Sequence, residues 1–444
     1  MQEPRSSIGV DQPYPRPAYA YYTVAVLMLA YVFAFVDRIA LSLVIDPIRR
    51  DLGLTDTQVS ALVGLAFVVC FVILSFPFGR WVDRHARPVA LTVGVSIWSL
   101  AMMGCGFATS FWQLFAGRAL VGVGEAAVSP VAYSIIPDSF PPDRRGLAMA
   151  IYASGSSIGG GLAVYVGSLL IAWADRTQPS LPGVGALASW QVLFIGLGLP
   201  GLLVALLVHL TLRDPPRRVA DSASGVSSPA VTAYFKEHRT LFTLMFLGYS
   251  GFAISNYAFT VWGPTYFMRV HDMSVAQVGL LMGVGFAVFG TAGVLLGGLW
   301  ADRVHKGGNP IAPIWVSLRI AWIQAPFFLG AYLSPHPTVA LVLFCLGMMT
   351  AWMVGGLQGA MVQVLTPNRM RGQAAAVFLT VVNVLGLGVA PTLTAAMTDY
   401  VFGGPAEIGK SLATTSAFAL SVASILLMLG MRRARERAVA VLGT

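Results

Sequence analysis

From residue 18 to residue 431 the chain alternates apolar runs of about 20 residues with short polar connections, which leaves few folds open. In hydrocarbon every backbone N–H and C=O must be satisfied within the protein, so runs of this length cross a bilayer as helices. Twelve spans are predicted, over 18–45, 57–80, 88–109, 111–137, 144–173, 188–212, 239–268, 274–300, 311–333, 337–365, 372–402 and 410–431. Charged residues make up 11% of the chain, where a soluble domain carries about 25%. This is an all-α integral membrane protein. The net charge of +9 does not indicate nucleic acid, because the basic residues sit in the connections between apolar runs. Cys70, Cys105 and Cys345 lie within apolar runs, and the six histidines lack metal-ligand spacing, so no disulfide, metal or cofactor is expected. A removed signal peptide is not expected either, since no short apolar core with a small-residue cleavage site precedes the first run.

The long polar interruption from Arg213 to Arg239 divides the spans six and six. The expected sections are an N-terminal tail (1–17), a six-helix bundle (18–212), a linker (213–238), a second bundle (239–431) and a basic tail (432–444). With both termini cytoplasmic, the connections on that side hold 20 Lys and Arg and the outer ones hold 5, the bias expected of this orientation. The halves also repeat. Gly79-Arg80-Trp81-Val82-Asp83-Arg84 follows the second span and Gly298-Leu299-Trp300-Ala301-Asp302-Arg303 the eighth, with Asp83 and Asp302 219 residues apart. Asp143-Arg144-Arg145-Gly146 and Asn368-Arg369-Met370-Arg371-Gly372 form a second pair at nearly the same offset. Two such pairs argue for duplication of a six-helix unit, an architecture in which one bundle rocks against the other.

These Gly-x-x-x-Asp-Arg connections resemble the signature loop of the major facilitator superfamily, and Arg118-x-x-x-Gly122-x-Gly124 is similar to its second motif. The run from Arg118 to Ala126, with Asp37-Arg38 in the first span, resembles more narrowly the spinster branch, whose members move lysolipids and sphingosine phosphates. The resemblance implies the major facilitator fold of two six-helix bundles, a bacterial inner-membrane location, and spans 1, 4, 7 and 10 around a central cavity. The fifth span has the glycines of the antiporter signature (Gly155, Gly159, Gly160, Gly161) but not its proline.

Charges inside apolar runs are costly and usually functional, at about 2.5–3.5 kcal/mol each on insertion scales. Arg118 and Glu125 are seven apart on one face of the fourth span, and Asp37 lies at the depth of Arg118. A proton relay Asp37–Arg118–Glu125 is expected, with Glu125 as the proton site; the plainer reading is a structural ion pair between two helices. Arg38 points about 100° from Asp37 and need not share that network, being free to snorkel or bind an anionic head group. Arg319, in the peripheral ninth span, is expected to be structural or lipid-facing. Gly79, Asp83, Arg84, Asp302 and Arg303 are read as gating residues that latch helix ends, with Asp83 at a helix N-terminus.

Substrate contacts are expected from Arg118, Ser129, Tyr133, Asn256, Tyr257, Trp352, Gln358 and Asn383, which give a cavity with one charged end and aromatic and apolar walls. Such a site suits an amphiphilic or lipid-like organic anion in a secondary active transporter with the proton as coupling ion. Small organic acids or drugs, or proton-independent facilitation, are the alternatives. The only other partners expected are membrane lipids, with the chain a monomer. A channel would need a polar pore ring, an enzyme a nucleophile–base or metal constellation, and an ATP-driven pump a phosphate-binding Gly-rich motif; none is found.

Overall fold

The computed structural model describes residues 14–84, 86–183, 185–217, 228–367 and 370–442. Among them, eleven helices are long and apolar enough to cross a bilayer. They are span 1 (Pro17–Leu43), span 2 (Asp56–Ser75), span 3 (Arg87–Cys105), span 4 (Phe111–Ser139), span 5 (Arg144–Thr177) and span 6 (Ser189–Thr211), then span 8 (Val275–Lys306), span 9 (Ala312–Leu333), span 10 (Pro337–Leu365), span 11 (Gln373–Val401) and span 12 (Pro405–Val441). Span 7 is the helix Arg239–Val270, whose Tyr, Ser, Asn and Thr residues lower its hydropathy below that set. Twelve crossings return both ends of the chain to one side, the termini end; the opposite side is the distal end. A hairpin of two short strands, Ser180–Leu181 and Gly185–Ala186, joins spans 5 and 6 there.

The halves are built alike. Span 3 packs on spans 4 and 6 as span 9 packs on spans 10 and 12, and span 2 packs on span 4 as span 8 packs on span 10. The repeat reaches the helix caps. Thr55 and Gln58 form a capping box at the start of span 2, and Ser274 and Gln277 form one at the start of span 8. The two caps are 219 residues apart, the offset of Asp83 and Asp302. Each box satisfies two otherwise orphaned backbone N–H groups, so both halves fix the same helix start in the same way.

Regular helix is interrupted where the chemistry lies. Span 4 is two helices, Phe111–Glu125 and Val128–Ser139. Pro130 has no N–H for the carbonyl of Ala126 and crowds it, so the first helix ends at Glu125. Span 11 contains π-helical turns at Val384–Val389 and Met397–Val401, and span 8 one at Phe286–Gly290. Glycines let neighbouring backbones touch: a Cβ on Gly124 would overlap the Gly94 carbonyl of span 3, and one on Gly64 would overlap the Leu387 carbonyl across the two halves.

Contact between the halves is concentrated at the distal end. Residues 56–63 of span 2 meet 390–396 of span 11, the end of span 1 meets span 7, and span 5 meets residues 275–290 of span 8. The space left between the halves faces the termini end.

Prediction: Gly94→Val thrusts a side chain into Ala127 and the Gly124 carbonyl and costs about 1–3 kcal/mol of overpacking, read as a lowered unfolding midpoint. Gly104→Val on the same span, where a Cβ meets nothing, leaves the midpoint nearly unchanged.

Candidate functional site

Span 1 presents Tyr31, Phe35, Arg38 and Ser42, spaced 4, 3 and 4 residues apart, along one face. All four line a cavity of about 340 Å³ between the halves. Asp37 is on another face, buried within the N-terminal half at 1% exposure. Span 7 contributes Asn256, Tyr257 and Thr260, span 10 Trp352 and Gln358, and span 11 Asn383.

The charged groups pair differently from the sequence expectation. Arg38 Nε donates to Glu125 Oε2 at 2.6 Å, with the Glu125 side chain fully buried and the Arg38 side chain 15% exposed. The guanidinium lies 5.1, 4.9 and 5.0 Å from the ring centres of Phe35, Phe67 and Phe71, so three aromatic faces and one carboxylate hold it. Arg118 forms no ion pair with the Asp37 carboxylate; its Nη1 reaches the Asp37 backbone carbonyl at 3.5 Å and Met102 Sδ at 3.9 Å. Arg118 Nε and Nη2, Asp37 Oδ1, Glu125 Oε1 and Trp98 Nε1 are buried without a hydrogen-bond partner among the described residues.

Helix geometry explains the exchange of partners. Cβ atoms tilt toward the N-terminus of their own helix. Span 1 runs from the termini end outward, so Asp37 and Arg38 lean back toward that end. Span 4 runs the other way, so Arg118 and Glu125 lean toward the distal end. Arg38 and Glu125 therefore converge from different depths, while Asp37 and Arg118, equal in depth along their axes, diverge. Matching depths alone paired the wrong residues, and the expectation that Arg38 stands outside the network is corrected.

Of the expected substrate contacts, Asn256, Tyr257, Trp352, Gln358 and Asn383 line the cavity. Asn256 is held from both sides: its Nδ2 donates to the Ala351 carbonyl at 3.4 Å, and its Oδ1 accepts from the buried Gln324 at 3.2 Å. The Tyr257 hydroxyl donates to Asn383 Oδ1 at 3.4 Å. Arg118, Ser129 and Tyr133 are not on this wall. Arg118 is enclosed within the N-terminal half, and the exposed Tyr133 meets Tyr152, which stacks on Tyr31. Tyr31, Phe35 and Ser156 line the cavity and were missed, although the regular 31–35–38–42 stripe marks the face that carries the first two.

The distal end is closed by a second charged group. Arg269, in the last turn of span 7, donates from Nη2 to Asp46 at 2.6 Å and from Nη1 to Asp56 at 2.6 Å, joining the C-terminal half to two carboxylates of the N-terminal half. Beside it, the backbone N–H and hydroxyl of Thr57 donate to Asp399 Oδ2 at 2.8 and 2.7 Å.

The side chains of the expected gating residues Gly79, Asp83 and Arg84 lie outside the described residues, as do Asn368 and Arg369. The second helix segment of span 2, Leu65–Arg84, places Asp83 in its last turn rather than at a helix N-terminus. Asp302 and Arg303 are exposed and form no ion pair among the described residues. Arg319 lies over Trp315, 3.1 Å from the ring centre, without a carboxylate partner among the described residues. Arg87 was read as one more basic connection residue. It is fully buried and ion-paired with Asp138 and Asp214 at 2.5 Å each.

Two halves of six helices, a cavity between them and closure at one end define a membrane transporter. Residues 27–391 match the Major Facilitator Superfamily; the chain belongs to that family of transporters and is not an enzyme. It is similar to an MFS-type efflux pump of Mycolicibacterium smegmatis (25% identical, covering 98% of both chains) and to protein spinster homolog 1 of Xenopus tropicalis (28% identical, covering 88% of this chain and 75% of that one). Its fold matches the crystal structure of a bacterial homologue of the human lysosomal transporter spinster in an inward-facing, unoccupied conformation. That match has a TM-score of 0.79 at 24% identity, over 97% of this chain and 99% of that one.

Prediction: Arg38→Gln leaves Glu125 buried and unpaired and lowers stability by about 3–5 kcal/mol. Adding Glu125→Gln restores most of that loss in a double-mutant cycle read by unfolding in detergent. Additive losses would exclude the pair.

Proposed function

We propose that this chain is a secondary active transporter that works by alternating access, with both termini cytoplasmic in a bacterial inner membrane. In that orientation the cavity faces the cytoplasm and the distal closure faces outward. The carrying observation is the position of Arg38, which is at once a cavity-wall cation and the partner of a buried carboxylate. An anionic head group entering the cavity competes with Glu125 for that guanidinium. Once Arg38 turns to the ligand, Glu125 is left without its counter-charge in a site closed to water, and taking up a proton removes the cost of an unpaired buried charge. Substrate and proton are thereby coupled through one side chain, with Asp37 behind it as a further proton-handling carboxylate and Arg118 as the permanently charged member of the relay.

The walls favour an amphiphilic organic anion of the lysolipid class. Phe35, Phe259, Phe286, Leu379, Val382 and Leu387 supply apolar surface, and Asn256, Gln358 and Asn383 supply a small set of hydrogen-bonding groups. The resemblance to spinster proteins supports the same class, with the monomer as the working unit and no cofactor besides the proton.

Reconstitution in liposomes with an imposed pH gradient tests this reading. Uptake or efflux of labelled lysolipid is expected to follow the gradient and to resist competition by short hydrophilic organic anions; the reverse selectivity would select the small-acid or drug reading. Glu125→Gln is expected to abolish gradient dependence, and unaltered proton-driven transport in that variant would refute the coupling. In a chain freed of Cys70, Cys105 and Cys345, Arg269→Gln is expected to raise labelling of Ser156→Cys by an impermeant thiol reagent applied outside. Unchanged labelling would show that the Arg269 cluster does not hold the distal end shut.

A further inference from the structure

A second cavity lies on the flank of the N-terminal half, at the termini end, between the start of span 1, the end of span 6 and the first linker residues. Its volume is about 640 Å³. Arg16 and Arg213 line it; both are exposed, and neither is joined to a carboxylate among the described residues. Asp214 also lines it, but its carboxylate is taken by Arg87, through the backbone N–H at 3.1 Å and Nε at 2.5 Å. The groove therefore presents two guanidinium groups against one carboxylate, whose partner Arg87 also serves Asp138, and its lining keeps a positive balance.

Its rim is fastened in place. The Tyr19 hydroxyl donates to the Thr211 carbonyl at 2.9 Å and accepts the Arg213 N–H at 2.7 Å, and the Tyr22 hydroxyl donates to Thr211 Oγ1 at 2.6 Å. These bonds tie the first turns of span 1 to the end of span 6, one guanidinium on each side of the groove. Leu210, also in the lining, opens an exposed stripe along one face of span 6: Leu210, Leu206, Leu203 and Leu199, spaced 4, 3 and 4 residues apart and 53–70% exposed. A polar, cationic groove thus runs directly into an apolar track at the end of a membrane span.

We propose that this groove binds the phosphate head group of an anionic membrane phospholipid, with an acyl chain lying along the span 6 leucines. The combination selects the lipid over a free phosphate, for which the apolar track has no use. The groove is built from the N-terminal half and the first linker residues, so its occupant is distinct from cargo in the cavity between the halves. Because the linker leaves through Asp214 and Pro215, the bound lipid braces the point where the connection to the second half departs.

The test is native mass spectrometry of the full chain released from nanodiscs of phosphatidylglycerol mixed with phosphatidylcholine. The wild-type chain is expected to retain phosphatidylglycerol preferentially. Arg16→Gln/Arg213→Gln is expected to lose that preference by roughly tenfold or more, as removal of two interfacial cations predicts. Arg432→Gln/Arg435→Gln, which removes equal charge from the far end of span 12, is expected to keep it. Equal loss in both double variants, no preference in the wild type, or displacement of the lipid by millimolar glycerol phosphate would each overturn the proposal.

Discussion

Glu125 sits where no water hydrates it, and the guanidinium of Arg38 supplies what water would. A carboxylate in that position must be paired, hydrogen-bonded or neutral. Arg38 satisfies one of its oxygens and leaves the other without a partner among the described residues. The pair is therefore held but not saturated. Phe35, Phe67 and Phe71 also surround the guanidinium, with ring centres 4.9–5.1 Å away, so aromatic contacts hold it in addition to the carboxylate. An arginine, unlike a lysine, brings a planar cation that stacks on aromatic rings, and this site uses that property while only Nε donates to the carboxylate.

Much of this was legible in the sequence because membrane insertion is a severe constraint. The twelve apolar runs, the central break and the repeated Gly-x-x-x-Asp-Arg connections each follow from backbone satisfaction in lipid or from duplication, and the shared family fold accounts for all three. The five residues read on spans 7, 10 and 11 line the cavity because polar and amphipathic side chains in an apolar helix turn to the protein interior rather than to lipid. The pairing of charges was not legible from depth. A straight-axis estimate ignores that Cβ atoms lean toward the helix N-terminus, and in antiparallel helices that lean moves two side chains in opposite directions. Arg87 was hidden for another reason: beside the end of an apolar run, a buried arginine with two carboxylates looks the same as a solvated one.

The two halves share architecture but divide the chemistry. The ionisable groups at membrane depth near the cavity, Asp37, Arg38, Arg118 and Glu125, all belong to the N-terminal half. The opposite wall offers neutral amides and hydroxyls, with Asn256 fixed by Gln324 and by the Ala351 carbonyl. A pre-fixed amide costs little to present to a ligand, since its orientation is set before binding. One wall thus handles charge and the other shape and hydrogen bonding, which duplication followed by divergence readily produces.

Closure at the distal end relies on a different balance. Arg269 with Asp46 and Asp56, and Thr57 with Asp399, are polar contacts at the end of the bundle, with the Arg269 side chain 8% exposed and that of Asp56 fully buried. A buried pair of this kind adds little net stability over an apolar replacement, because both charges lose their hydration to form it, but removing one partner is costly. The backbones at Gly64 and Leu387 approach closely, and buried apolar side chains of both halves join in one continuous cluster around them. Charges that part into entering water regain hydration, which apolar surface does not, and a ligand shifts the balance by its differential affinity for the closed and open states. A closure whose charged groups are rehydrated on parting fits the alternating access proposed for the single cavity between the halves.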